Sequence, residues 1–189
     1  LVGSEMCIRD RSNDLEFLDW IKTILLALAI AFVIKIFIMD ATKVEGNSML
    51  NTLHSGDMLF VDKVSKHFKG YNRGDIVIIN APDQEGTLYI KRIVGMPGDN
   101  IEVKDGNVYV NGEIYEENYI NNEETLTTNE NSSWEVGEGE YFVMGDNRLP
   151  NASNDSRNFG PISEEKIVGH AFLRFFPIYD IGFVDKENR

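Results

Sequence analysis

The chain of 189 residues is short of cysteine, histidine and positive charge. Its one cysteine, Cys7, cannot close an intramolecular disulfide or build a thiolate zinc site. The three histidines, His54, His67 and His170, are scattered and form no HExxH, so neither a metal nor a cofactor is indicated. Lys and Arg number 18 against 31 Asp and Glu, a formal net charge of -13. That deficit argues against non-specific nucleic-acid binding, which needs surplus cations to neutralise phosphates. Hydrophobic residues are not lacking. At 42% they suffice for a packed core, which excludes a wholly disordered chain. The length suits one domain, or a small domain with an appendage.

The opening stretch LVGSEMCIRDRS has no apolar period. Residues 1–12 read as a non-native N-terminal extension, and Cys7 goes with them. From Ile21 to Met39 runs IKTILLALAIAFVIKIFIM, interrupted only by Lys22 and Lys35. As a helix it spans roughly 28 Å at ~1.5 Å per residue, close to the thickness of a bilayer's hydrocarbon. Trp20 sits where an interfacial aromatic belongs, and Lys35 lies near enough to the end for its amine to reach the headgroups. A cleavable signal peptide would need a small-x-small site just downstream, which Met39-Asp40-Ala41-Thr42 does not offer. A helix buried in a soluble core is rarely apolar on every face. Residues 13–40 are therefore expected to be a short stub and a single membrane anchor. The flanking charges, Arg9, Arg11 and Lys22 against Asp14, Glu16 and Asp19, set no orientation.

Beyond the anchor the helical period gives way to short alternating or apolar runs. These are Met58–Val61, Asp75–Ile79, Leu88–Val94, Ile101–Val103, Val108–Val110, Tyr141–Met144 and His170–Phe176. Turn residues separate them, and Asp105-Gly106 between IEVK and NVYV predicts a hairpin. One helical turn is expected at Ser163–Lys166, with Ser163 as its N-cap. The expected fold is mainly β: an antiparallel domain over residues 41–189 on one N-terminal transmembrane helix. Within it, Asn111–Glu140 holds nine Glu and no Lys or Arg, and reads as an acidic insertion. Those nine account for most of the net charge, so the acidity is expected to belong to the insertion and not to the core.

Without a usable thiol, a nucleophile must be a hydroxyl in a tight turn. Glu45-Gly46-Asn47-Ser48-Met49-Leu50 offers one, although a lone G-x-S more often marks a plain turn. No histidine is an evident base. His54 lies in an exposed turn, His67 among lysines, and His170 at the start of a strand. Lys91 is a better candidate. A strand period of two puts it on one face with Tyr89 and Ile93, where loss of water disfavours the ammonium. A neutral amine accepts a serine proton, whereas an ammonium does not. The alternative is a lysine whose stem packs while its amine reaches water. Lys63, beside Asp62 at a strand end, is weaker. A third cluster, Gly145-Asp146-Asn147-Arg148 and then Asp155-Ser156-Arg157, read alone is a salt-bridged surface turn.

In this order the segments resemble the type I signal peptidases, membrane-bound serine proteases that remove signal peptides from exported proteins. The resemblance rests on Gly46-Asn47-Ser48-Met49, Gly56-Asp57-Met58-Leu59-Phe60-Val61-Asp62-Lys63, Lys91-Arg92-Ile93-Val94-Gly95-Met96-Pro97-Gly98-Asp99 and Gly145-Asp146-Asn147-Arg148 with Ser153-Asn154-Asp155-Ser156-Arg157. It implies Ser48 as nucleophile, Lys91 as general base and Ser153 as the hydroxyl that orients the lysine. It implies two structural ion pairs, Arg92 with Asp146 and Asp155 with Arg157. Val44, Met49, Leu53, Tyr89 and Ile90 fall where the family lines its substrate pockets, which accept small side chains such as Ala at the first and third positions before the cut. The Ser48 amide would serve the oxyanion hole. The implied partners are preprotein signal peptides and the lipid bilayer, with no nucleic acid and no metal. The implied location is the cell membrane, single-pass, with the catalytic domain extracytoplasmic.

Two positions depart from the family pattern. Asn51 stands where Pro is usual, and the spacer Leu149–Asn154 has six residues in place of four. The added residues are expected to bulge outward while Ser153 keeps its register with Asp155. Rival readings are a self-cleaving Ser/Lys repressor protease, which would carry a DNA-binding module where this chain has its apolar helix, and an inactive membrane-anchored β module that only binds.

Overall fold

The computed structural model describes residues 6–37, 39–64, 70–120, 124–127 and 132–184, with side chains given for 16–32 and from residue 40 onward. The chain divides into two units, residues 1–38 and residues 39–189.

The first unit is one helix, α1 (Met6–Phe37). It takes in Met6–Ser12, a stretch set aside above for want of an apolar period. Those residues contain no Gly or Pro, and nothing in them stops a helix from extending backwards. Between Phe17 and Phe32 the apolar side chains are exposed all round the helix, Trp20, Ile24, Leu25, Leu26 and Leu28 among them. Among the described residues no helix is long and apolar enough to cross a membrane. The side chains of residues 33–39, the last part of the expected anchor, lie outside that description.

The helix ends two residues before the apolar run does, because Met39 already belongs to a strand. β1 (Met39–Lys43) pairs antiparallel with β2 (Met58–Asp62), Met39 opposite Asp62 and Lys43 opposite Met58. The other strands of the large sheet are β3 (Ile76–Asn80), β4 (Leu88–Gly95), β9 (Glu140–Met144), β10 (Ile162–Ser163), β11 (Ile167–Phe176) and β12 (Gly182–Phe183). Its order is β1-β2-β11-β3-β4-β9-β10, with β12 on β11, and every pairing is antiparallel. A smaller sheet, ordered β7-β6-β5-β8, comprises β5 (Asn100–Lys104), β6 (Asn107–Val110), β7 (Glu113–Ile114) and β8 (Ser133–Glu135). The expected mainly β, antiparallel architecture is the one observed.

Strand period decides which face each residue serves. In β3, Ile76 and Ile78 join one buried cluster with Val44, Met49, Leu53, Leu59 and Val61. Val77 and Ile79 join another with Tyr71, Ile93, Tyr141 and Val143. A strand covered on both faces has no reason to alternate, and Ile76-Val77-Ile78-Ile79 is apolar throughout. A third cluster, with Ile101, Val108, Phe142 and Met144, couples β9 to the smaller sheet. The β5–β6 hairpin turns at Asp105-Gly106, both at positive φ (50° and 78°), the geometry of the turn that Asp-Gly favours. The helical turn at Glu164–Lys166 is capped by Ser163 as expected, its hydroxyl accepting from the Glu165 amide.

Candidate active site

Ser48 stands in the turn between β1 and β2. The turn is closed by hydrogen bonds from the Leu50 amide to the Asn47 carbonyl (3.2 Å) and from the Leu53 amide to the Met49 carbonyl (2.8 Å). Met49 and Leu53 root it in the core. Lys91 comes from the middle of β4, where Tyr89 and Ile93 share one cluster and the lysine amine lies 5.2 Å from the Tyr89 ring centre. The strand period thus put Lys91 on the face expected for it. Its Nζ donates to Ser48 Oγ at 2.9 Å and to the Ile90 carbonyl at 3.1 Å. Only 3% of the residue is exposed. Burial lowers the Lys91 pKa from 10.5 to about 8, against the opposing pull of the Asp155 and Asp146 carboxylates.

The third segment wraps the turn from the other side. Arg92 grips Asp146 with two hydrogen bonds, Nε to Oδ1 at 2.9 Å and Nη2 to Oδ2 at 2.7 Å. Arg157 holds Asp155 in the same bidentate way, at 2.9 and 2.8 Å. Both pairs are buried, so this cluster is no surface turn. Burial alone would raise the Asp155 pKa. The Arg157 guanidinium and the Gly145 amide outweigh it and hold the carboxyl below its usual range. The segment continues as a short helix, α2 (Ser156–Phe159), with Asp155 as its N-cap.

Ser153 is buried at the site, yet no hydrogen bond joins it to Lys91. The hydroxyl instead packs on Gly145, whose missing side chain leaves it room. The second ligand of the lysine amine is the Ile90 carbonyl, a backbone group that no side-chain pattern announces. Leu53 also differs from expectation. It has no exposed surface, belongs to the core that supports the turn, and is not among the residues lining the groove at Ser48. Val44, Met49, Tyr89 and Ile90 do line a groove of about 370 Å³ together with Ser48 and Lys91. Lys63 lies elsewhere, paired with Asp40 at 2.7 Å. His54 is exposed, His170 is 3.9 Å from Asp75, and His67 lies outside the described residues.

Several residues at the site escaped the sequence reading. Thr52 Oγ1 donates to Asp146 Oδ2 at 2.5 Å, and the Tyr119 ring stacks on the Arg92 guanidinium at 3.9 Å. Glu117 forms a buried ion pair with Arg148, whose Nη1 also donates to Thr125 Oγ1 at 3.0 Å. The acidic stretch is therefore not wholly apart from the core, because one of its glutamates neutralises a fully buried arginine. Burial opposes the charge on Arg148, but Glu117 overrides it and raises the pKa. Glu117→Ala would strand that cation and is expected to cost about 3 kcal/mol in a urea melt. The exposed Glu138→Ala serves as control and should change stability by less than about 0.5 kcal/mol.

A sequence model of the family described as signal peptidase, peptidase S26, matches residues 17–176. The chain belongs to that family. It is a serine peptidase, a hydrolase. Signal peptidase I of Bacillus amyloliquefaciens is 41% identical over 186 residues, covering 94% of each chain. Signal peptidase I T of Bacillus subtilis is 39% identical over 187 residues, covering 95% of this chain and 94% of the relative. A crystal structure of a signal peptidase I from Enterococcus faecalis is 33% identical, covers 54% of this chain and 97% of its own, and has a TM-score of 0.44.

Both departures from the signal peptidase pattern acquire a physical reading. Asn51 has φ of +87°, a conformation closed to proline, whose ring holds φ near about −65°. The turn is thus built differently, and the Asn51 amide reaches the Tyr119 and Ile120 carbonyls at 3.3 and 3.4 Å. In the longer spacer Leu149 and Pro150 are exposed, whereas Ser153 and Asp155 are buried. Its last residue, Asn154, donates to Asp83 Oδ2 at 2.7 Å, the carboxylate that also accepts from the Tyr89 hydroxyl at 3.3 Å.

Proposed function

We propose that the chain is a membrane-bound signal peptidase that cuts exported preproteins after a small-x-small motif with a Ser48/Lys91 dyad. The observation that carries this reading is a buried lysine amine 2.9 Å from a serine hydroxyl. A pKa of about 8 leaves roughly a tenth of Lys91 neutral at pH 7, a usable fraction for a general base. The neutral amine takes the Ser48 proton as Oγ attacks the scissile carbonyl. The Ser48 N–H faces the oxyanion, and the lysine ammonium then passes its proton to the leaving amine. Lys91, neutral again, takes a proton from water as it attacks the acyl ester, and returns it to Ser48 Oγ as the ester C–O bond breaks and the acid product leaves. The groove walls of Val44, Met49, Tyr89 and Ile90 suit Ala side chains at the first and third positions before the cut.

We read α1 as the membrane anchor of this enzyme. Apolar side chains exposed on every side need a non-aqueous environment, which supports an anchor that holds the enzyme where membrane-tethered substrates arrive. The extracytoplasmic placement of the catalytic unit rests on the family resemblance. Detergent-solubilised enzyme should cleave an Ala-x-Ala preprotein after the second Ala, and Ser48→Ala should yield no product. Cleavage by Ser48→Ala would overturn the dyad.

A further inference from the structure

We propose that Asn147 is a positioning residue for the oxyanion donor: its carboxamide sets the plane of the Asn47–Ser48 peptide and so aims the Ser48 N–H. The inference rests on the reading of Ser48 as nucleophile and extends it to a residue with no part in proton transfer. Asn147 is 3% exposed, and its main-chain amide and both ends of its carboxamide are engaged at the serine turn or next to it. Its Nδ2 donates to the Asn47 carbonyl at 3.0 Å. Its main-chain amide donates to the Ser48 carbonyl, also at 3.0 Å. Its Oδ1 accepts from the Leu149 amide at 3.3 Å, which fixes which end of the carboxamide faces the turn.

The consequence follows from the planarity of the peptide bond. The Asn47 carbonyl and the Ser48 N–H belong to one rigid unit and point in opposite directions. A donor that holds the carbonyl on one side therefore holds the N–H on the other. Among the described residues no acceptor takes the Ser48 N–H, so its direction rests on the two donors that hold the Asn47 carbonyl, the Leu50 amide at 3.2 Å within the turn and the Asn147 carboxamide from outside it. Hydrogen bonding to the carbonyl also polarises the unit and makes its N–H a stronger donor. The Ser48 carbonyl, held by the Asn147 amide, anchors the next peptide, so the nucleophile is gripped on both sides.

Two variants separate the contributions. Asn147→Ala keeps the main-chain bond to Ser48 and loses only the carboxamide. Asn147→Asp keeps the shape and loses the donor. With a detergent-solubilised Ala-x-Ala preprotein, kcat is expected to fall roughly 10- to 100-fold in Asn147→Ala, with KM within about twofold of wild type. A peptide aldehyde ending in Ala-x-Ala probes the same donor. Ser48 Oγ adds to its carbonyl carbon, the serine proton passes to Lys91, and the carbonyl oxygen takes the charge. Its affinity should drop by the same factor as kcat. The pH midpoint of kcat/KM should stay where wild type has it, because a generally loosened site would admit water to Lys91 and raise that midpoint. Wild-type kcat in Asn147→Ala, a loss confined to KM, or a raised pH midpoint would each overturn the proposal. Activity in Ser48→Ala would instead remove the reading on which it rests.

Discussion

Lys91→Met is expected to lower preprotein cleavage by roughly 10³-fold or more while raising the melting temperature of the protein. The loss follows from the mechanism, because methionine fills the volume but accepts no proton from Ser48. The gain follows from the burial of the lysine. Its folded-state pKa of about 8 lies below its usual 10.5, so protonating Lys91 in the folded chain opposes folding. The sign is fixed by that direction. Below pH 8 the lysine is charged in both states and the cost is fully present, on the order of 3 kcal/mol. Between pH 8 and 10.5 the folded chain releases its proton first and the cost fades. At pH 7, Lys91→Met should therefore melt several degrees higher than wild type, and the difference should shrink as pH rises toward 10.5. Cleavage assays and thermal melts on one preparation test both halves. A variant that is inactive and less stable would mean that Lys91 is a structural lysine.

Gly145→Ala should be the most damaging single methyl group in the domain. A Cβ there would sit inside van der Waals contact of Ser153 Oγ and the Ser48 carbonyl oxygen, and 2.7 Å from Ser153 Cβ. Two of those atoms belong to a buried side chain and one to the backbone of the nucleophile, so none gives way cheaply. The Gly145 amide also donates to Asp155 Oδ2 at 3.0 Å, which ties the displaced segment to the Arg157 pair. Activity is expected to fall about 10²-fold or more, as a shift of about 1 Å at the serine requires, with about 2 kcal/mol lost in stability. Adding Ser153→Ala relieves the hydroxyl clash but not those with Ser153 Cβ and the Ser48 carbonyl, so the double variant should recover part of the stability and none of the activity. Recovery of wild-type cleavage would place the obstruction at Ser153 alone.

The sequence disclosed most where a local rule sufficed. Alternating or apolar runs located seven strands between Met58 and Phe176, though not the short β7, β8 and β10, while Asp105-Gly106 marked its own hairpin and Ser163 its cap. The face of β4 that carries Lys91 followed from a period of two. What stayed hidden depends on partners far along the chain. β1 was merged with the apolar run because Met39–Lys43 becomes a strand only by pairing with β2. Glu117 and Tyr119 looked like parts of a solvated insertion because the arginines that draw them inward lie 31 residues after one and 27 before the other. Leu53 and Ser153 occupy family positions, but packing sends Leu53 into the core and turns Ser153 toward Gly145. The engagement of both carbonyls of the serine turn by Asn147 is invisible in sequence, since one contact is made by its backbone.

The pH dependence of kcat/KM for an Ala-x-Ala preprotein tests the central claim most directly. A buried lysine that must lose its proton predicts a rate that rises tenfold per pH unit at low pH and levels off at about 8. A lower limb centred near about 6.5, the ordinary range of histidine, or a flat profile, would contradict Lys91 as the base.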